Sequence, residues 1–274
     1  MKLLLVTALL GICCPFSFAQ RAITNIQGDL YRFQNNAHYS VFLVTGKGVI
    51  ATDPINEEAA SWLKTQIKQR FNQPVKYVIY SHHHADHISG GQVFDEAVFV
   101  GHSLTKKAIA QENIDVPLPQ KTFDDKMTLI LGGKVVKLFY PGKSHSDNCI
   151  IMLFPQEKTI FAVDFISIKR LPYRTLNNSY FPDWMEAIKK VEALDFEVLA
   201  PGHGELGGKA EVTEHRKYLE ALFTAVKQAH TQGQSLDDMK KTILLESYQH
   251  LGQYQAWREM NIEGVYNFLS GPSK

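Results

Sequence analysis

The sequence predicts an α/β protein in which stacked β-sheets are covered by helices. Its 274 residues, 45% of them hydrophobic, are enough for one sizeable core and do not require a second domain. Strand-like segments occur in two groups along the chain, and helical segments follow each group. Elements in this order bury their apolar faces by packing sheets against each other and helices against the sheets.

The first group of elements lies in the N-terminal half. Apolar stretches bounded by turn residues predict strands, and the stretch at 75–81 is almost continuously apolar, which favours burial on both faces. A helix is predicted before it, because Asn56 can cap the first turn and apolar residues then recur on one face. The predicted elements are strands at 41–45, 49–52, 75–81 and 97–102 and a helix at 56–71.

The second group begins with a hairpin around Gly132 and Gly133. Pro182 suits the first turn of a helix that presents an apolar face, and a further helical segment ends the chain. The predicted elements are the hairpin at 127–140, strands at 148–154, 159–165 and 197–203, and helices at 181–196 and from about 212.

The first 19 residues have the pattern of a secretory signal. Lys2 precedes an apolar run at 3–12, and Ser17, Phe18 and Ala19 form a cleavage pattern before Gln20. The run is shorter than the roughly 20 residues that span a membrane, so no stable membrane insertion is expected after cleavage. The alternatives are an ordinary buried N-terminal helix and a lipoprotein anchor at Cys13 or Cys14. We predict a signal peptide at 1–19, a single domain at 20–274 that includes the helical segment from about 212, and a periplasmic or secreted protein.

Composition restricts the partners of the protein. Charged residues make up 21% of the chain and the formal net charge is +1, so no broad basic surface points to nucleic acid. Cleavage after Ala19 would remove Cys13 and Cys14 and leave only Cys149, so we expect no intramolecular disulfide. The expected partner is a small-molecule substrate, and the sequence leaves the oligomeric state open.

Four of the eleven histidines lie within the stretch SHHHADHISGG. Alternate side chains of an extended segment point the same way, so His82, His84 and Asp86 can converge on one side. His87 follows at the turn, whereas His83 is expected to point away. Imidazole and carboxylate donors suit zinc by default, with iron or manganese as alternatives.

Three further donors lie at the ends of predicted strands. His145 comes just before one strand, and Asp164 and His203 lie at the ends of two others. Functional groups commonly lie on loops at the ends of a rigid sheet, so these donors and the histidine-rich stretch predict one metal centre. Seven donors exceed the four that a tetrahedral ion uses, which favours two ions.

Together these residues resemble the motif of the metallo-β-lactamase superfamily, over about residues 29–205. The resemblance implies an αββα sandwich with two mixed sheets packed face to face, helices outside, and two zinc ions at one edge. It also implies that Asp164 bridges the ions and that Asp53, in the segment ATDP, supports the ligands from behind. The remaining ligands would be His82, His84 and His145 at the first ion and Asp86, His87 and His203 at the second.

The resemblance predicts an enzyme, a zinc-dependent hydrolase. A metal-bound hydroxide would attack an ester, thioester, lactone or amide bond, and catalytic Asp86 would orient it or pass a proton to the leaving group. Asp164 is similar to the bridging aspartate of glyoxalase II and of lactonases, whereas β-lactamases of this superfamily have Cys or Ser there. The alternatives are β-lactamase activity at the same site and a mononuclear iron oxidoreductase resembling persulfide dioxygenase.

The segment at 165–184 follows Asp164 directly and combines basic with aromatic residues. Long segments of this kind in compact domains are often functional. Arg170 and Arg174 are therefore candidates to bind a substrate carboxylate, with Tyr173 as part of an apolar wall. The alternative is that the segment packs on the sheet without contacting substrate.

Overall fold

The computed structural model describes residues 20–177 and 179–271. The predicted signal peptide at 1–19 lies outside the described residues. Within the described ranges, no helix is both long enough and apolar enough to cross a membrane.

Seven strands form a mixed sheet in the order of the chain: β1 (Arg21–Gln27), β2 (Leu30–Asn35), β3 (His38–Thr45), β4 (Gly48–Thr52), β5 (Val75–Ile79), β6 (Val98–His102) and β7 (Lys121–Phe123). The first four strands pair antiparallel as successive hairpins. The last three are added parallel to β4, which requires the chain to cross back over the sheet between them.

Five strands form the second sheet: β8 (Lys126–Leu131), β9 (Lys134–Phe139), β10 (Ile151–Phe154), β11 (Thr159–Ala162) and β12 (Val198–Pro201). They lie in the order β12, β11, β10, β9, β8. The pairs are antiparallel except for β11 and β12, which are parallel and joined by a long connection.

Seven α-helices surround the sheets, with short 3-10 turns at Gly91–Phe94 and Glu246–Tyr248 in the described part of the chain. Asn56 caps the first helix by accepting a hydrogen bond from the Ala59 amide, as the sequence predicts. The helices are α1 (Glu57–Phe71), α2 (Ala85–Ile88), α3 (Ser103–Gln111), α4 (Phe181–Glu192), α5 (Lys209–Thr231), α6 (Leu236–Thr242) and α7 (Tyr254–Ser270).

The two sheets share one apolar core. Leu43, Ile79 and Val100 from the first sheet lie in the same buried cluster as Leu138 and Phe161 from the second. Alternate residues of a strand point to opposite faces, so the other face of each sheet remains to be covered by helices.

Helices cover both outer faces. Leu63 and Ile67 of α1 pack on the seven-stranded sheet. Trp184 of α4, Leu219 of α5 and Ile262 of α7 belong to the cluster on the five-stranded sheet. Two mixed sheets packed face to face with helices outside confirm the predicted αββα sandwich.

Five elements are absent from the sequence prediction: β1, β2, β7, α2 and α3. β1 is half-exposed and mixes polar with apolar residues, and β2 contains the buried polar residues Arg32 and Asn35. β10 begins later than predicted and β11 ends earlier, because the residues beside them leave the sheet to form the loops described next.

Candidate metal centre

His82 is held by a buried chain of hydrogen bonds behind it. Its Nδ1 atom lies 2.9 Å from Ser81 Oγ, and this hydroxyl donates to Asp53 Oδ2 at 2.6 Å. Because the hydroxyl proton goes to the carboxylate, Nδ1 must be the donor to the hydroxyl, which leaves a lone pair on Nε2. In the described part of the chain, His82 Nε2 is buried without a hydrogen-bond partner. A buried nitrogen of this kind requires an explanation, and ligation of a metal supplies one.

Asp53 lies behind two of the candidate ligands. It accepts a hydrogen bond from the Ser81 amide at 2.8 Å, and its Oδ2 atom lies 3.7 Å from His87 Nδ1. Burial raises the pKa of Asp53 to about 6, although His87 and Ser81 act in the opposite direction. The structure thus places Asp53 where it can orient His82 through Ser81 and His87 directly.

Asp86 and His87 lie in the single turn of α2 rather than in an extended segment. The turn is anchored by the Ile55 amide, which donates to the His87 carbonyl at 2.7 Å. Consecutive side chains on a helix diverge by about 100°, so His87 points inward and is fully buried while the Asp86 side chain is 53% exposed. The predicted alternation is therefore wrong for Asp86, which reaches the same region as His82 from a helix.

The other candidates come from loops of the five-stranded sheet. His145 lies in the loop before β10, and Asp164 and His203 follow β11 and β12. These two strands are parallel, so their carboxyl ends meet at one edge of the sheet. Asp164 has φ of 55°, a left-handed conformation that aspartate tolerates better than most residues.

The first donor group consists of His82, His84, His145 and Asp164. His145 Nε2 lies 3.1 Å from His84 Nδ1 and 3.7 Å from Asp164 Oδ2. The same carboxylate oxygen lies 3.8 Å from His82 Nε2.

The second donor group consists of Asp86, His87, His203 and again Asp164. His203 Nε2 lies 3.2 Å from His87 Nε2 and 3.4 Å from Asp164 Oδ1. Asp86 Oδ2 lies 3.4 Å from His87 Nε2. The two groups contain the residues that the sequence resemblance assigns to the two ions, with Asp164 common to both.

These separations suit a metal ion in each group. A tetrahedral zinc ion with donors at 2.0–2.1 Å would hold them about 3.3 Å apart. His203 donates from Nδ1 to the Ala37 carbonyl at 2.9 Å, so its Nε2 atom presents a lone pair toward His87. Two facing ring nitrogens repel unless a proton or cation lies between them. The donors are nitrogen and oxygen only, which suits zinc and also iron or manganese.

The charges in the centre are strongly coupled. Burial lowers the pKa of His87, but Asp164, Asp53 and Asp86 outweigh it and raise the value to about 9. Burial raises the pKa of Asp164, yet the adjacent histidines, His87 foremost, hold it well below its usual range. Asp164 is therefore an ionised carboxylate between the two groups, where a divalent cation would be attracted.

The family follows from comparison with known proteins. The family model described as metallo-beta-lactamase superfamily matches residues 38–203. The chain belongs to the metallo-β-lactamase superfamily. Membership and a His/Asp cluster able to bind metal together support the class of metal-dependent hydrolase.

Individual relatives are distant. The alpha subunit of 2,4-dinitroanisole O-demethylase from Nocardioides sp. (strain JS1661) is 24% identical over 65% of this chain, and the match spans only 56% of that subunit. A metallo-beta-lactamase type 2 from Elizabethkingia meningoseptica is 28% identical over 70% of this chain and 82% of its own length. A solved metallo-beta-lactamase from Pontibacter korlensis superposes with a TM-score of 0.66 at 22% identity and covers 73% of this chain and 99% of its own. This last likeness bears on the fold alone.

A cavity of about 450 Å³ opens over the metal centre of this superfamily member. That volume suits a small molecule. Asp86, His145 and Asp164 line it, and so do Arg170 and Tyr173.

The three residues expected to bind substrate are placed differently. Arg170 is half-buried in the cavity wall, and Tyr173 lines the cavity although 57% of it is exposed. Arg174 is exposed and is not among the residues described as lining the cavity; its guanidinium lies 4.8 Å from the ring centroid of Tyr173. The backbone at Arg174 has a positive φ of 51°, and the exposed side chain is one that the sequence grouped with Arg170.

Sequence reasoning missed the residues that hold His203. Arg32 is buried on β2, and its Nη2 atom donates to the carbonyls of Pro201 at 3.3 Å and Gly204 at 2.6 Å, on either side of His203. The Tyr39 amide donates to the Gly202 carbonyl at 2.8 Å. The available signal was an arginine flanked by Tyr31 and Phe33 in β2.

His38 was also missed. Its Nε2 atom lies 3.3 Å from Asp86 Oδ2, and its ring centroid lies 4.6 Å from that of His203. His38 lines the cavity from the hairpin between β2 and β3. From the sequence, an exposed loop histidine was the preferred interpretation of this residue, because its local pattern does not predict contact with the metal centre.

Proposed function

We propose that the protein is an exported dinuclear zinc hydrolase that cleaves an ester, thioester, lactone or amide bond in a small molecule. The observation that carries the proposal is the position of Asp164, whose carboxylate belongs to two separate donor groups. One ion would need only one group, and a complete second group supports two ions.

Bound ions would supply Lewis acidity, lowering the pKa of water toward about 7 and stabilising the charge that develops on the attacked bond. The chain supplies the positioning. Ser81 and Asp53 hold His82 in one tautomer, and the Ala37 carbonyl does the same for His203.

Asp86 is the proposed catalytic residue. Its side chain faces the cavity and is half-exposed, unlike the buried Asp53. A carboxylate in this position can hold the attacking water and pass its proton to the leaving group. His38 contacts the Asp86 carboxylate from the solvent side and restricts its orientation.

Lactam cleavage is the second candidate for the bond type. The relative from Elizabethkingia meningoseptica, a metallo-beta-lactamase type 2, supports it. The demethylase subunit from Nocardioides acts on 2,4-dinitroanisole by its name, so an aryl methyl ether also belongs in the panel of substrates. β-Lactamases of this superfamily have Cys or Ser at the position of Asp164. Asp164 therefore favours lactones and thioesters over lactams as substrates.

Export is proposed from the signal pattern at 1–19. Cleavage after Ala19 would leave β1, which begins at Arg21, complete. N-terminal sequencing of the protein secreted by a bacterial host should find Gln20 as the first residue. An intact Met1 on the mature protein would remove the proposal of export and leave the hydrolase proposal untouched.

The decisive experiment combines metal analysis with a substrate screen. Mature protein should contain about two zinc ions per chain and hydrolyse at least one lactone, thioester, ester or lactam, and activity should disappear with a chelator and return with zinc. A single iron with oxygen uptake would instead identify an oxidoreductase. Two bound ions without hydrolysis across the panel would contradict the proposed function.

A further inference from the structure

The C-terminal segment pairs with the chain that follows Asp164. Gly252 forms an isolated parallel bridge with Arg170, in which the Leu171 amide donates to the Gly252 carbonyl at 2.9 Å. The Gly252 amide donates in turn to the Lys169 carbonyl at 2.9 Å. Residues 169–171 are therefore fixed by a part of the chain that lies beyond the family match at 38–203.

Helix α7 holds the next residues of the same loop. The fully buried Asn261 donates to the carbonyls of Pro172 at 3.1 Å and Arg174 at 2.6 Å, and accepts from the Tyr218 hydroxyl at 2.7 Å. Gly264 lies so close that a Cβ atom there would come within 2.0 Å of the Thr175 carbonyl oxygen. The helix thus fixes the loop backbone through specific contacts as well as apolar packing.

Arg170 is the polar side chain that this arrangement places in the cavity wall. Its Nε atom is buried and has no hydrogen-bond partner among the residues described. Its neighbour Lys169 differs, because it is exposed and paired with Glu205 at 3.4 Å. A guanidinium stays protonated even when it is half-buried, so an N–H group of Arg170 that no described residue accepts has unused capacity to bind an anion.

An aromatic surface lies beside this guanidinium. Arg170 Cζ lies 5.6 Å from the ring centroid of Trp257 on α7, and the rings of Trp257 and Tyr173 meet edge to face at 5.1 Å. Both rings line the cavity, and Asp164 lines it as well. A ligand in the cavity can therefore contact a cation and a flat apolar surface on the same wall.

We propose that Arg170 and Trp257 form a subsite for an organic anion, with Arg170 binding its negatively charged group and Trp257 contacting an adjacent flat apolar part. This subsite rests on the proposed function for its role in selecting substrates. Planar guanidinium groups bind carboxylate and phosphate through paired hydrogen bonds, and either group satisfies the chemistry of the wall. The C-terminal helix then decides which substrates reach the metal centre.

The test measures binding without turnover. Zinc-loaded protein is titrated calorimetrically with 2-naphthoate, naphthalene-2-phosphonate and the neutral 2-acetonaphthone, none of which has a bond that a hydrolase can cleave. At least one anion should bind about tenfold or more tightly than the ketone. Arg170→Gln should remove that preference, and Trp257→Ala should weaken the anion and the ketone by similar factors. Lys169→Gln, at the adjacent exposed position, should change nothing.

The arms separate the possible results. A naphthoate preference assigns the subsite to carboxylates, and a phosphonate preference assigns it to phosphate-like groups. If Arg170→Gln melts at a lower temperature than the parent, Arg170→Lys serves instead and should retain only part of the preference. An anion preference that is undiminished in the variant used places the anion on the metal ions and overturns the proposal, as does equal binding of all three compounds. Because no bond is cleaved, these results do not depend on whether the protein is a hydrolase.

Discussion

The two donor groups differ in what stands behind their ligands. In the first group, His82 is fully buried and is oriented through Ser81 by the buried Asp53. In the second, the Asp86 side chain is half-exposed, and its contact outside the donor group is with the partly exposed His38. The first group thus has a ligand oriented by buried hydrogen bonds at the end of β5. In the second group His87 is buried beside Asp53, but the exposed ligand Asp86 is contacted from a surface hairpin.

The difference concerns pre-organisation. Ligands held by buried hydrogen bonds lose little freedom when an ion binds, whereas exposed ligands must be ordered at that moment. His203 is an intermediate case, since Arg32 and the Ala37 carbonyl fix its loop. We therefore expect the first group to bind its ion more tightly, and the predictions below test that order.

The largest effect is expected at the residue that both groups share. Asp164→Asn keeps the shape and tolerates the left-handed backbone, but it removes the negative charge between the groups. Metal content should fall below one zinc ion per chain, and kcat/KM should fall about a hundredfold or more, since metals supply several kcal/mol of charge stabilisation. Asp195→Asn, at an exposed aspartate paired with Lys158, is the control. If the Asp164→Asn variant still held two ions, neither group would need the shared carboxylate to bind its ion.

The second-largest effect should distinguish the two donor groups by their metal content. Asp86→Asn removes a ligand of the second group alone, so mass spectrometry of the folded protein should find one zinc ion where the parent has two. Asp95→Asn, an exposed aspartate paired with Lys64, should keep both. Loss of both ions from the Asp86 variant would show that the first group does not hold an ion independently and would break the comparison.

The ligands themselves were within reach of the sequence. His145, Asp164 and His203 lie beside apolar strand segments, and strand ends collect at sheet edges, so their convergence follows from local pattern. The residues that orient the ligands were not predictable in the same way. Ser81 and Arg32 have ordinary neighbours in the sequence, and their partners become visible only when distant strands pair.

The cavity wall was harder still to predict. Arg170 was a candidate from its position after Asp164, but Arg174 in the same loop has the same chemistry and faces outward. Trp257 comes from a helix about ninety residues further along the chain, and nothing in a helical pattern tells which loop it will meet. Strand register and long-range packing determine which side chains form the cavity wall.

A smaller effect tests the buried support of the first group. Ser81→Ala removes the link between His82 and Asp53, and loss of such an outer contact costs about tenfold to a hundredfold in metal affinity. Competition with a chromophoric chelator should locate that loss at the tighter ion. Ser103→Ala, whose hydroxyl contacts the Phe123 carbonyl, is the matched control. An equal loss at both ions would mean that the Ser81 hydroxyl supports the whole centre, by also fixing Asp53 for its contact with His87.

The smallest effect is expected at the surface hairpin. His38→Gln removes the 3.3 Å contact with Asp86, and contacts between partly exposed groups contribute at most about 1 kcal/mol, so the weaker ion should lose less than about fivefold in affinity. The same competition assay measures this, with His250→Gln, an exposed histidine paired with Glu214, as reference. A tenfold or greater loss would show that the hairpin orders Asp86 before the ion binds. The second group would then be as pre-organised as the first, and the expected difference in affinity would disappear.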